Sequence, residues 1–244
     1  MSQLHGYNEK GKRKQCIVIC NGPSIATLQK HKTNIDFNEY DIIAVNRWNR
    51  IFNILDIRDP DYVVIGKNSM KDNLMNMKYK PHIKYRGIDP LGTNLKKKYN
   101  INCDYKQLTF GTHNMKIKTK IKTKVKTNEE KSENENEEEE NENENEEKEI
   151  EVVQPINFIG SLWWSGIYAI QLALKLGYEH ISVYGFTCTN DKDYVDVVGR
   201  APIPRKNFIG VRWFFHHLKQ YGLLDRITFY EDKQTHPIRD ILFY

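Results

Sequence analysis

Residues 165–186 read Ser-Gly-Ile-Tyr-Ala-Ile-Gln-Leu-Ala-Leu-Lys-Leu-Gly-Tyr-Glu-His-Ile-Ser-Val-Tyr-Gly-Phe, and few architectures accommodate such a run. Between Ile167 and Leu176 only Gln171 and Lys175 interrupt the apolar residues, so the segment predicts a helix that must be covered on more than one side. A short strand over 181–184 follows, closed by the turn Tyr184-Gly185-Phe186. Function is expected at the two ends of this unit. Ser165-Gly166 stands where the helix begins, and free N–H groups at the positive end of its dipole make that place receptive to phosphate. The turn after Tyr184 lies at the strand end where open α/β sheets bind ligands.

The same logic recurs near the N-terminus. Cys16-Ile-Val-Ile-Cys20 is a compact apolar run of strand length, and Asn21-Gly22-Pro23-Ser24 follows it directly. Gly22 permits unusual backbone angles, Pro23 fixes φ, and Ser24 is placed to cap a helix starting at Ile25. Residues 40–45, ended by Asn46-Arg47, read as a second parallel strand, and 62–65, followed by Gly66-Lys67-Asn68-Ser69, as a third. Farther on, Val211, Phe214, Phe215, Leu218 and Tyr221 share one face of a helix over about 210–221. Gly222 is a plausible stop, and 227–230 form a last strand. Alternating strands and helices predict a single Rossmann-like α/β domain, a mostly parallel sheet flanked by helices.

Residues 115–150 break this pattern. Six lysines alternate with other residues from 116 to 126, and 128–149 are almost wholly Glu and Asn. Composition of this kind predicts a disordered low-complexity insert, because it buries too little apolar surface to offset its ordering entropy. The expected organisation is a flexible N-terminus over 1–14, a nucleotide-binding half over 15–114, the insert over 115–150, and a second half with the donor and acceptor site over 151–244. Eight lysines against thirteen glutamates make the insert net −5, so a chain of +5 leaves +10 on the rest. A basic body suits an anionic substrate, a nucleotide-linked donor or an acidic membrane surface. Nucleic acid is not expected, since aromatics are not interleaved with a basic stripe.

The four cysteines lack paired metal spacing and read as reduced core residues. With no 18-residue apolar run and a polar first fourteen residues, the expectation is a cytoplasmic protein or one peripheral to an intracellular membrane. Asn21 to Ser24 is not a full Gly-x-Gly-x-x-Gly fingerprint, which gives no reason to expect a dinucleotide cofactor.

In order along the chain stand Cys20-Asn-Gly-Pro-Ser24, Asp41-Ile-Ile-Ala-Val-Asn46-Arg47, Asn68-Ser69, Ser165-Gly166 with its helix, and Tyr184-Gly185-Phe186. This order and approximate spacing resemble the sialyltransferases over roughly residues 15–70 and 155–230. Asn-Gly-Pro-Ser is similar to the bacterial, single-domain enzymes, while Val-Tyr-Gly-Phe and Asp-x-x-x-x-Asn-Arg are similar to the eukaryotic motifs. The resemblance implies an inverting, metal-independent transferase with no cofactor, which passes a sugar from CMP-sialic acid or another nucleotide sugar to a glycan acceptor hydroxyl. It also implies that Asn21, Ser24, Asn46 and Asn68 contact the donor, with Ser165 and Gly166 near the nucleotide. Gly22 and Pro23 shape the first turn, and Thr187 is a further binding position after the last one. Tyr194 takes the place of a tyrosine that meets the leaving phosphate.

One departure matters. The family carries its general base, a histidine, before the last long helix, where this chain has Lys206 or Asn207. His217, within the helix, is the first candidate for a relocated base, with His236 and Asp196 as alternatives. Three readings follow: a transferase with a relocated base, a nucleotide-sugar-binding relative without catalysis, and a Rossmann-like transferase of another kind.

Overall fold

The computed structural model describes residues 15–46, 48–65, 82–87, 103–104, 111–124, 145–158, 165–186 and 206–230. In chain order these form β1 (Gln15–Ile19), α1 (Ile25–His31), β2 (Asp41–Val45), α2 (Trp48–Leu55), β3 (Tyr62–Ile65), β4 (Lys84–Gly87), β5 (Cys103–Asp104), β6 (Gly111–Lys124), β7 (Asn145–Phe158), α3 (Ser165–Leu176), β8 (His180–Tyr184), α4 (Lys206–Gln220) and β9 (Ile227–Tyr230). Two 3-10 turns, Lys32–Asn34 and Phe37–Glu39, lie before β2, and one, Leu224–Arg226, before β9.

Seven strands build one sheet in the order β5-β4-β3-β2-β1-β8-β9, and every neighbouring pair is parallel. The alternation of side chains along each strand divides the core in two. Cys16, Val18, Ile43, Val45, Tyr62, Val64, Ile181 and Val183 pack with α3 and α4 on one face. Ile17, Ile19, Ile42, Ala44, Val63 and Ile65 pack with α1 and α2 on the other. Strands buried on both faces have no polar side to show, which is why they read as continuous apolar runs. Residues 167 to 174 of α3 are all buried, as its all-round apolarity predicts. The expected Rossmann-like α/β fold is the fold observed.

Chain direction explains where a site forms. From β1 the sheet grows one way through β2 and β3, and after α3 the chain returns to the other side of β1 to add β8 and β9. The strand order therefore reverses between β1 and β8, and open α/β sheets generally bind ligands beyond the C-terminal strand ends at such a reversal. The opposite edge of the sheet is tied down. The Tyr178 hydroxyl donates to Asp41 Oδ2 at 2.5 Å, while Arg58 donates to the Phe37 and Tyr40 carbonyls and to Asp61. Cys16, buried beside Asp41 and Asp61, has its thiol pushed well above the ordinary range by desolvation first and those carboxylates second. Cys16 and Cys20 are buried and outside any disulfide, in keeping with reduced core residues.

Several expected details change. Helix α2 had no place in the sequence reading, although Trp48, Ile51, Phe52 and Leu55 are all buried at helical spacing. Ser24 stands at the N-cap position of α1, but its hydroxyl makes no cap hydrogen bond there. Segment 115–150 is not wholly a structureless arm: 115–124 and 145–150 belong to a two-stranded antiparallel ribbon separate from the main sheet. Its register sets Lys118 opposite Glu151, Lys120 opposite Glu149 and Lys122 opposite Glu147. Opposite charges at facing positions favour pairing, a gain that composition alone does not reveal. The expectations for 1–14 and for 125–144 lie outside the described residues.

Candidate functional site

Three strand ends and one helix start meet at the reversal point. Hydrogen bonding between β1 and β8 continues past the strands: the Cys20 N–H donates to the Tyr184 carbonyl at 2.8 Å and the Gly22 N–H to the Gly185 carbonyl at 2.7 Å. In return, the Gly185 N–H donates to Ser24 Oγ at 3.0 Å. This is why Ser24 fails to cap its own helix; its fully buried hydroxyl serves the neighbouring turn instead. Gly185 has φ +69°, and a Cβ there would stand 2.6 Å from the Cys20 carbonyl oxygen. Only glycine meets both demands.

Asn46 leaves β2 in the left-handed region, at φ 47°, a conformation that Asn tolerates better than most residues. Its N–H donates to the Val64 carbonyl at 2.9 Å, which fixes the turn against β3. Its side-chain Nδ2 donates to Ser165 Oγ at 3.0 Å across 119 residues of chain. The end of β2 is thereby fastened to the first residue of α3. At the next position a Cβ on Gly166 would lie 2.6 and 2.8 Å from Phe186 ring carbons and 3.0 Å from Cys20 Sγ. Absence of a side chain lets the start of α3 approach both β1 and β8.

Two polar features of this place bear on ligand binding. The first turn of α3 carries no acidic residue to complement its dipole, so its N-terminal N–H groups stay receptive to an anion. Asn21 Oδ1 is shielded from solvent and has no hydrogen-bond partner. Buried acceptors are normally satisfied, and an orphan in the turn after β1 is a place where a ligand could supply the missing donor.

The structure thus brings together Asn21, Gly22, Pro23, Ser24, Asn46, Ser165 and Gly166, seven of the residues expected from the sequence. Asn68, Thr187 and Tyr194 lie outside the described residues, as do Asp196 and His236. His217 is not part of the cluster just described. It lies on α4, with its ring against Tyr221 at 4.8 Å between centroids and its Nε2 buried without a hydrogen-bond partner. The sequence reading missed Gly185 and Phe186 as packing partners of the turn after β1 and of the start of α3. Gly185 follows a strand and precedes an aromatic, a signal that marks a turn but not its distant neighbour.

Another cavity, of about 350 Å³, is lined by Lys32, Asp36, Phe37, Asp56 and Arg58 among others. It lies at the tied edge of the sheet, away from the reversal point. Its cations are already engaged, Lys32 Nζ with the Leu55 carbonyl at 2.6 Å and Arg58 as described, so it reads as a surface hollow over a structural clamp. Among the described residues no three His, Cys, Asp or Glu side chains gather as a metal site, and no helix is long and apolar enough to cross a membrane. No family model matches the chain, and no curated protein matches it either.

Proposed function

We propose that the chain is a metal-independent, sialyltransferase-like glycosyltransferase that takes a sugar from a CMP-linked donor and passes it to an acceptor hydroxyl. The observation that carries this reading is the orphan Asn21 Oδ1 at the reversal point of a doubly wound sheet, beside a helix start with no acidic residue in its first turn. A nucleotide monophosphate brings what each feature lacks. Ribose hydroxyls or a base amine donate to the carbonyl oxygen, and the phosphate lies against the helix N–H groups. The fold by itself supports only nucleotide-binding architecture in general. The order of the Asn-Gly-Pro-Ser, Asn-Arg and Tyr-Gly-Phe motifs favours a cytidine-linked sugar among such ligands.

Breaking a sugar–phosphate bond requires donors fixed where charge grows on the leaving phosphate. In this reading the first turn of α3 and the Ser165 hydroxyl, oriented by Asn46, supply part of that field, and Tyr194 supplies a phenolic hydrogen bond. His217 is the first candidate for the base that takes the acceptor proton, with His236 and Asp196 as the alternatives. A second reading, binding without transfer, draws on the burial of His217 Nε2, since a base must come within hydrogen-bond reach of the acceptor.

Release of CMP from CMP-sialic acid in the absence of acceptor separates the two, because water replaces the acceptor and needs less positioning. Turnover slowed ten- to a thousand-fold by Tyr194→Phe, a scale set by other lost transition-state donors, is the expected result. Thermal stabilisation by CMP with no turnover of any nucleotide sugar over a panel of acceptors assigns the chain to the second reading. Stabilisation by ATP or UDP-sugars and not by CMP removes the first altogether.

A further inference from the structure

The outward face of α4 has an unusual composition for a helix on the surface of a globular domain. Its inward arc, Val211, Phe214, Phe215 and Leu218, is buried in the core beneath α3. On the opposite arc, Arg212, Trp213, His216, Lys219 and Gln220 are exposed, as the helical repeat requires. Trp213 is 62% exposed, a heavy apolar cost for a residue type that is normally well covered. No Asp or Glu occurs anywhere in Lys206–Gln220. An exposed tryptophan thus shares one face with two permanent cations, on a body whose net charge outside the 115–150 segment is +10.

We propose that this face of α4 docks the protein on the surface of an anionic lipid bilayer. The charges fit acidic headgroups, and each cation near such a surface contributes attraction that salt weakens. The indole fits the headgroup level, where an amphipathic ring finds both an apolar and a wet environment. The exposed indole favours the bilayer: headgroup level rewards its burial, whereas a phosphate backbone rewards chiefly the cations. Because the inward arc is held in the core, α4 docks as one edge of the folded domain and lies in the interface plane. Such an edge would hold the protein beside a membrane-borne acceptor, but the docking stands or falls independently of the proposed transfer.

Flotation of the full chain with phosphatidylcholine vesicles, with and without phosphatidylserine, tests this. Recovery with the anionic vesicles alone is expected, falling as salt is raised. Trp213→Ser and the double variant Arg212→Glu/Lys219→Glu should each lower the apparent partition coefficient by about tenfold or more, with melting midpoints unchanged because these side chains are exposed. A double variant that floats as well as the wild type overturns the assignment, as does equal recovery with neutral vesicles. Absence of vesicle binding, together with retention on an oligonucleotide that the same substitutions abolish, overturns it in favour of a nucleic-acid surface.

Discussion

The hydroxyl of Ser24 accepts a hydrogen bond from the backbone N–H of Gly185 at 3.0 Å, joining two turns that lie 161 residues apart in the chain. The bond is buried, and nothing else in the two turns replaces it. Ser24→Ala leaves the Gly185 N–H without its acceptor inside the protein, so the variant should lose about 1–3 kcal/mol in a urea unfolding titration. An unchanged midpoint for Ser24→Ala would show that the turn relaxes around the loss.

Gln171 gives a prediction of opposite sign. Its amide is 1% exposed, in the middle of α3, and neither its nitrogen nor its oxygen has a hydrogen-bond partner. Desolvation without compensation costs about 1–3 kcal/mol on mutational scales, and Gln171→Leu removes that cost at similar volume. The variant should melt higher than the wild type. A lower midpoint would mean that the amide is satisfied by buried water or that the site is shaped for it.

Alkaline pH should produce a rise and then a fall in stability. Burial lowers Lys175 from 10.5 to about 8, so the folded protein gives up this proton before the unfolded chain does. From about pH 8 towards 10 the unfolded state therefore binds more protons, and stability increases with pH. One proton limits the slope to about 1.4 kcal/mol per pH unit, and the partial exposure of Lys175 reduces it further. Above pH 10 the phenols reverse the trend. Burial raises Tyr168 from 10.0 to about 12 and pushes up Tyr178 and Tyr184 as well, so the unfolded chain loses those protons first. Denaturant midpoints measured across pH 7–12 on the wild type and Lys175→Met check this, the variant being expected to lack the rise.

Most of the scaffold was legible because burial and sequence pattern coincide. Strands β1, β2, β3 and β8, covered on both faces, leave contiguous apolar runs, and α3 is apolar on nearly every side for the same reason. Helix α2 also left its signature, apolar residues at 48, 51, 52 and 55, but the reading stopped at the Asn46-Arg47 turn ahead of it and left them unassigned. In 115–150 the abundance of Lys and Glu outweighed the period-two alternation of 116–124, which is the pattern a strand makes. The site was legible residue by residue and not as a set of contacts. Asn46 and Ser165 each stand at an element end, yet their hydrogen bond depends on a chain reversal that no local spacing encodes. The redirected Ser24 hydroxyl is of the same kind.

Among the described residues, the ribbon of β6 and β7 pairs only with itself and contributes no strand to the main sheet. Replacing 115–150 with a short Gly/Ser linker should therefore leave the melting midpoint of the α/β body nearly unchanged, since lengthening or shortening a loop alters closure entropy slowly. A collapse in cooperative unfolding would show that the ribbon covers part of the core.

The central claim is that the reversal point between β1 and β8 is a cytidine nucleotide site whose Asn21 carbonyl oxygen awaits a donor. Isothermal titration of CMP into the wild type and into Asn21→Ala tests it most directly. Saturable binding by the wild type, weakened by at least about 1 kcal/mol in the variant, the scale of one lost polar contact, is the predicted result. Equal affinity for both proteins, or no binding of CMP by the wild type, would contradict it.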